Sequence, residues 1–411
     1  MANVKLGPLG AEPELPEMMQ MFQSSVHKFA KDVLRPIGQK LDRMTPEQVI
    51  APDSPYWEAR AKYLELGVNI DALAELTPQE QAKMFCILYE ELGWGDSGLA
   101  ISFGAGILPA YLSKMFKNDY LRSLAPDDVI GCWGITEPDH GSDTLDPNGL
   151  MFHPDGKYGR PNCVATIKGD EVILNGQKSS WVSNGTIAKV CILYCAADVG
   201  NGPDTKNGCT LIFPMDTKGI SRGKPLDKLG QRALNQGELF FDNVKLSKKN
   251  ILAGPDTYHD AVYAIHTMAN GLMGAIFTGV ARAAFEMAVD YAHERKQGGV
   301  PIIRHQSVAQ RLFHMFRKTE MCRALTHRVV HYNLSSPQIC LHAAMTSKVT
   351  CTQAAFEVAS DAVQIFGGNG VTREYPVEKL MRDARSSLIE DGCNEILSIK
   401  GGFHLIDQDK L

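Results

Sequence analysis

From Glu14 to about Ser123 apolar residues return every three or four positions, and Met18, Phe22, Val26, Phe29 and Val33 fall on one helical face. Thr77-Pro78-Gln79-Glu80 has the form of a capping box with proline at the first helical position, and Gly93 is placed to close that helix. From about Ile130 to Leu252 the texture changes. Short β-rich runs (CVATI, EVILNG, KVCILYC, CTLIFP, GELFFDNVKL) are separated by turn residues such as Lys168-Gly169-Asp170. Beyond Gly254 long helical patterns return in AIFTGVARAAFEMAVDYAHERK, VAQRLFHMFRKTEMCRALTHRVVHYNL and CLHAAMTSKVTCTQAAFEVASDAVQIF. Some are apolar on more than one face, as in the buried helices of a bundle. The pattern predicts an α+β multidomain protein: an N-terminal helical domain over 1–129, a central β domain over 130–252 and a C-terminal helical bundle over 253–411.

Composition narrows the class. A chain of 411 residues exceeds one core, and 44% hydrophobic residues can fill two or three. A net charge of -5 gives no electrostatic case for nucleic acid. No apolar run is read as approaching the ~20 residues that cross a bilayer, so no membrane span is expected. The start MANVKLGPLGAEPELPEMM has neither a basic head nor an apolar core, which makes the cytoplasm the expected compartment. The ten cysteines include no CxxC pair, and Cys191 and Cys195 share a parity in one apolar strand. Buried reduced thiols are expected, with no metal site.

The chemistry concentrates in QIFGGNGVTREYPVEKLMRDARSSLIEDGCNEIL, Gln364 to Leu397, which ends a helix, holds a glycine turn and then sets a carboxylate at a second turn. CWGITEPDHGSDT (from Cys132), NGQKSSWVSNG (from Asn175), KLGQRALNQGELFFDNV (from Lys228) and YAHERK (from Tyr291) precede it. In content and order these segments resemble the acyl-CoA dehydrogenase family, and with the helical first third the resemblance covers nearly the whole chain. Taken singly, each feature has a plain reading: a core tryptophan, a solvated Arg295, a helix cap at GGNG, a simple Asp-Gly turn. Joint order and spacing outweigh those readings.

The resemblance implies a helical, β, helical fold assembled as a homotetramer. It also implies FAD as cofactor, an acyl-CoA substrate, and electron transfer to an electron-transfer flavoprotein or similar carrier. Desaturating a thioester needs a base for the α C–H, donors for the developing enolate, and a hydride acceptor that no side chain supplies. No GxGxxG opens a helix after an N-terminal strand, so a Rossmann site is not indicated. By resemblance Trp133, Ile135 and Thr136 line the isoalloxazine, and Ser142 lies where flavin diphosphate and pantetheine approach. Trp181 covers one flavin face, and Ser183, often threonine in relatives, offers a hydroxyl near N5. Arg295 and Gln306, with Gln364, Gly367 and Gly368, reach the cofactor of a neighbouring subunit; Cys393 and Glu395 touch the cofactor, and Gly392 borders the substrate.

Asp391 occupies the position where the family carries its catalytic glutamate. One methylene fewer is consequential, since ~1 Å at a reacting centre can cost on the order of 10²-fold. Glu390 is the rival base, but adjacent turn residues usually point apart. Met268 to Asn270, where some relatives place the base, holds no carboxylate, and many members carry an aspartate and an arginine near the position of Asn270 that help hold CoA. Relatives acting on alicyclic acyl-CoA esters use aspartate at this site, which suggests a bulky, branched or alicyclic acyl group. Nitroalkane oxidase also uses aspartate, so a flavin oxidase of that type is the alternative, and a catalytically silent assembly subunit a third reading. An insertion over 145–162 lies near the expected substrate entrance.

Overall fold

The computed structural model describes residues 15–146 and 159–406, so residues 147–158 of the insertion lie outside the described residues. The N-terminal helices are α1 (Glu17–Phe29), α2 (Arg35–Leu41), α3 (Pro46–Ile50), α4 (Pro55–Leu64), α5 (Ile70–Ala74), α6 (Pro78–Gly95), α7 (Ser97–Gly106), α8 (Leu108–Met115) and α9 (Asp119–Leu124). The strands follow as β1 (Gly131–Gly134), β2 (Cys163–Lys168), β3 (Glu171–Ser183), β4 (Val190–Asp198), β5 (Asp204–Pro214), β6 (Ile220–Arg222), β7 (Gln236–Ser247) and β8 (Ile251–Ala253). The C-terminal part holds α10 (Tyr258–Glu294), a small hairpin of β9 (Lys296–Gln297) and β10 (Val300–Pro301), α11 (Gln306–Ser335), α12 (Leu341–Phe366), α13 (Val377–Ser387) and α14 (Asn394–Phe403).

Local chemistry explains several boundaries. Thr77 Oγ1 accepts from the Glu80 amide at 3.3 Å and Glu80 Oε2 accepts from the Thr77 amide at 3.0 Å, which is the expected capping box. Gly93, by contrast, does not close α6, which continues to Gly95. A Cβ at Gly93 would lie 2.1 Å from the Ile276 carbonyl oxygen of α10, and one at Gly279 2.0 Å from the Glu90 oxygen. These glycines let two helix backbones touch.

Strand order is β6-β7-β3-β2-β4-β5-β8, with β1 also paired to β4. β1 and β2 run parallel to β4, and the other described neighbours in this sheet are antiparallel. β4 is buried from Val190 to Ala197, which is why AKVCILYCAA reads as an unbroken apolar run. All ten cysteines are free thiols, Cys340 and Cys393 being the two that are not fully buried.

The bundle is organised around α10, which packs on α6, α11 and α12. Contrary to the expectation of no long apolar run, α10 contains an 18-residue window of hydropathy 1.4, but 83% of that window is buried inside the fold. It is a core helix. Buried charge ties it to α6 and α11: Arg282 meets Glu90 Oε1 at 2.9 Å and Glu91 Oε2 at 2.6 Å, and Arg323 meets Glu90 Oε1 at 2.8 Å.

Candidate active site

A cleft of about 660 Å³ opens between the ends of β1 and β3, the 227–236 loop, the N-terminal half of α10 and the turn after α13. Its sheet-side wall is set by one buried lysine. Lys178 Nζ donates to the Ile135 carbonyl at 2.9 Å and to Glu137 Oε1 at 2.6 Å, while the Ser179 amide donates to the Thr136 carbonyl at 2.9 Å. The segment after β1 is therefore held at both its backbone and its side chains. The β3–β7 register slips between Lys178 and Val182, a bulge of the kind that re-aims side chains near functional sites. Past it Val182 faces the core while Trp181 is 57% exposed. Gln236 Nε2 donates to Ser183 Oγ and to the Trp181 carbonyl, both at 3.3 Å.

The opposite wall is the turn of Asp391 (φ 54°) and Gly392 (φ 88°), both left-handed. Aspartate and asparagine tolerate that conformation better than longer side chains because their short polar groups bond locally. Asn270 Nδ2 on α10 donates to the Asp391 carbonyl at 3.2 Å. Lys348 Nζ on α12 donates to the Gly392 carbonyl and to Asn394 Oδ1, both at 2.8 Å. Two elements more than forty residues away in sequence thus clamp the turn.

Electrostatics follow from this burial. Desolvation pushes the Asp391 carboxyl up to about 6, opposed by the nearby Lys348 charge. Glu390 is pushed up to about 7 by burial and by repulsion from Asp391, against the hydrogen bond it accepts from Gln231 Nε2. Burial lowers Lys348 and Lys228 to about 8, partly offset by Asp391 and Glu390 for Lys348 and by Glu390 and Asp383 for Lys228. Glu390 and Asp391 both border the cleft, with the Glu390 carboxylate on Gln231. Gln231 makes this possible. It is buried, with φ 51°, and its amide nitrogen donates to Asp383 Oδ1 at 2.5 Å, so the loop holds its side chain toward Glu390.

The cleft brings together Trp133, Ile135, Thr136, Ser142, Trp181, Ser183, Asp391 and Gly392. Cys393 and Glu395 flank the turn at the start of α14. Arg295, Gln306, Gln364, Gly367 and Gly368 do not line it; they are exposed at the ends of α10 and α12 and the start of α11. That region is braced by Tyr291 stacked on Phe366 with ring centroids 4.0 Å apart. Sequence reasoning missed Lys178, Gln231, Lys228, His266 and Lys348. Only Lys178 and Lys348 carried a signal, as lysines inside otherwise buried patterns. Among the described residues no group of three or more His, Cys, Asp or Glu could hold a metal ion.

Comparison with known proteins agrees with this geometry. The family models for the acyl-CoA dehydrogenase middle domain and C-terminal domain match residues 132–244 and 263–400. The mitochondrial short-chain specific acyl-CoA dehydrogenase of Rattus norvegicus is 29% identical over 407 residues, covering 96% of this chain and 91% of the relative. Butyryl-CoA dehydrogenase from Megasphaera elsdenii superposes with a TM-score of 0.83 at 26% identity, covering 96% of this chain and all of that one (100%). A glutaryl-CoA dehydrogenase from Mycobacterium smegmatis in complex with FADH2 shares the fold, with a TM-score of 0.79 at 23% identity over 98% of each chain.

Proposed function

Because the chain belongs to the acyl-CoA dehydrogenase family, we propose that Asp391 is the base that removes the α-proton of its acyl-CoA substrate. The protein is an FAD-dependent oxidoreductase, and the family acts on acyl-CoA thioesters and passes electrons to electron-transfer flavoprotein. The observation that carries the assignment is a carboxylate with its pKa raised to about 6, clamped by Asn270 and Lys348 on the wall of the cleft.

The residues present fit the cofactor. A largely exposed indole on a rigid strand, Trp181, is a flat apolar plate facing open space. Beside it the pinned backbone of Ile135 and Thr136 and the Ser183 hydroxyl offer polar contacts for a heterocycle. Bound there, FAD supplies the hydride acceptor. The chain's own residues supply the rest. The cleft walls exclude water, which raises the Asp391 pKa toward working pH and makes its carboxylate a stronger base than a solvated one. Asn270 and Lys348 fix the turn, so the shorter side chain is presented at one distance. A short base suits an acyl group with a branched or alicyclic α carbon, which fills the space a glutamate methylene would take.

Arg295, Gln306, Gln364, Gly367 and Gly368 serve the cofactor of a neighbouring copy in a homotetramer. In support, a Cβ at Gly368 would meet nothing within 4 Å, so no contact inside the chain explains that glycine, whereas Gly367 is set by its φ of 60° at the end of α12. Arg295→Ala should then lower flavin retention and oligomer stability together. The relatives matched over nearly the whole chain are acyl-CoA dehydrogenases, which favours a thioester over a nitroalkane.

The test is an anaerobic screen of straight, branched and alicyclic acyl-CoA thioesters, with a nitroalkane control, read by bleaching of flavin absorbance. Bleaching by thioesters, with slow turnover on oxygen and fast turnover on an artificial acceptor, is expected. Bleaching by the nitroalkane alone with rapid peroxide release would overturn the reading.

A further inference from the structure

The cleft contains a buried acceptor that the proton chemistry above does not use. His266 on α10 is only 3% exposed yet lines the same cleft as Asp391. Its Nδ1 lies 2.8 Å from the Val262 carbonyl, an acceptor only, so Nδ1 carries the proton and Nε2 is left as an acceptor. Trp133 packs edge-on against the ring, with centroids 5.4 Å apart, and fixes its plane. Among the described residues Nε2 has no hydrogen-bond partner. Burial, with help from the Lys400 charge, lowers the imidazole pKa to about 4, so the ring is neutral at working pH.

One turn further along the same face sits Asn270. Its Nδ2 is committed to the Asp391 carbonyl, which makes Oδ1 an acceptor, and that buried oxygen also lacks a partner. The indole nitrogen of Trp133 is a buried donor without a partner. Each fully buried group of this kind costs roughly 1–3 kcal/mol while unpaired, so the Asn270 oxygen and the Trp133 indole nitrogen, beside the His266 acceptor, mark a place awaiting a polar group. A hydroxyl is the small neutral group that both donates and accepts.

Resting on the reading of Asp391 as base, we propose that the acyl moiety of the substrate carries a hydroxyl group whose proton is accepted by His266 Nε2. The same cleft is otherwise walled at this end by Ile101, Trp133 and Leu145, which suit a hydrocarbon frame around that hydroxyl. Sites built to bond a substrate hydroxyl discriminate strongly against the analogue lacking it, because their own polar groups are then left buried and unpaired.

The experiment uses the flavin-loaded oligomer and matched pairs of acyl-CoA thioesters that differ only by a hydroxyl on the acyl group. Two quantities are read: the ratio of kcat/KM within a pair, and the ratio of dissociation constants for matched non-oxidisable analogues by calorimetry. Wild type should favour one hydroxylated member by about 10- to 100-fold. His266→Phe keeps the ring and removes the acceptor, so both ratios should fall to about one, while His266→Gln, which retains an acceptor, should keep a preference. Equal handling of every pair by wild type would overturn the proposal. So would an undiminished ratio in His266→Phe with equal losses on both members, which would assign the acceptor to an amide N–H of the pantetheine arm. Bleaching by any thioester in these runs keeps the dehydrogenase reading intact, and its absence with all of them would sink that reading separately.

Discussion

Replacing Asp391 by asparagine should make the protein more stable and nearly inactive at once. Asparagine keeps the size of the side chain and accepts the left-handed φ of 54°, and the Asn270 and Lys348 bonds go to main-chain carbonyls that the substitution leaves in place. The fold and cofactor retention should therefore survive. Basicity is lost, and removing a general base slows proton transfer by about 10²–10⁴-fold. The stability gain follows from linkage. Asp391 is raised from 3.8 to about 6 in the folded chain, so the folded state holds its proton more tightly than the unfolded state. Wild type accordingly loses stability as pH rises between those values, and the whole penalty is present at pH 7. Two units correspond to about 3 kcal/mol. Because the carboxyl opens onto the cleft, screening reduces this to about 1–2 kcal/mol, or a rise of about 1–3 °C in Tm for a chain of this size.

Anaerobic stopped-flow bleaching of the flavin by an acyl-CoA thioester, with calorimetric melting at pH 4.5, 6 and 7.5, measures both effects. In wild type the rate should climb as the base ionises near pH 6. A second inflection should follow from Glu390, raised to about 7 and coupled to Asp391. The variant should show neither inflection from Asp391 nor a fast phase, and its stability advantage should grow between pH 4 and 6 and then stay level. A rate within threefold of wild type would remove Asp391 from the mechanism and point to Glu390. A lower Tm than wild type at pH 7.5 would refute the desolvation argument.

Three further outcomes test the frame around the site. Lys348→Met removes the donor to the Gly392 carbonyl and Asn394 Oδ1; it should slow flavin bleaching at least tenfold with FAD still bound, checked by absorbance and single-turnover kinetics. Gly93→Ala drives a methyl to 2.1 Å from the Ile276 carbonyl, so it should cost about 1–3 kcal/mol or more in denaturant melts. Arg282→Met leaves Glu90 and Glu91 facing each other in the core, answered by Arg323, by His27 and Gln23, and at longer range by Arg35; a loss of about 3–5 kcal/mol is expected by the same measurement, and a neutral result would mean the remaining partners suffice.

Period and order in the chain were enough to read the helical, β, helical architecture, because amphipathic spacing and cap chemistry are local: the Thr77 box is written within four residues, and the Trp181 side of β3 within one strand. The motifs that resemble the acyl-CoA dehydrogenase family singled out Asp391 and most of the sheet-side wall, since those residues sit in contiguous segments. Gly93 was misread for the complementary reason. A glycine that ends a helix and one that admits a second backbone look alike along the chain, and only the approach of α10 distinguishes them. The same limit hid His266, Lys348 and Gln231. Each belongs to a helix or loop whose apolar pattern says that a face is buried but not what it is buried against, and each meets the Asp391 turn or its cleft across more than forty residues of sequence or through shared walls alone. The sequence by itself determined which elements form and which carboxylate stands in the second turn. The tertiary structure alone decided that two carboxylates and Lys228 share one cleft with the His266 imidazole, with Lys348 clamping its turn and the Asn270 oxygen and Trp133 nitrogen left unpaired beside it, because pKa shifts and orphaned hydrogen bonds arise only when chain-distant groups are taken out of water together.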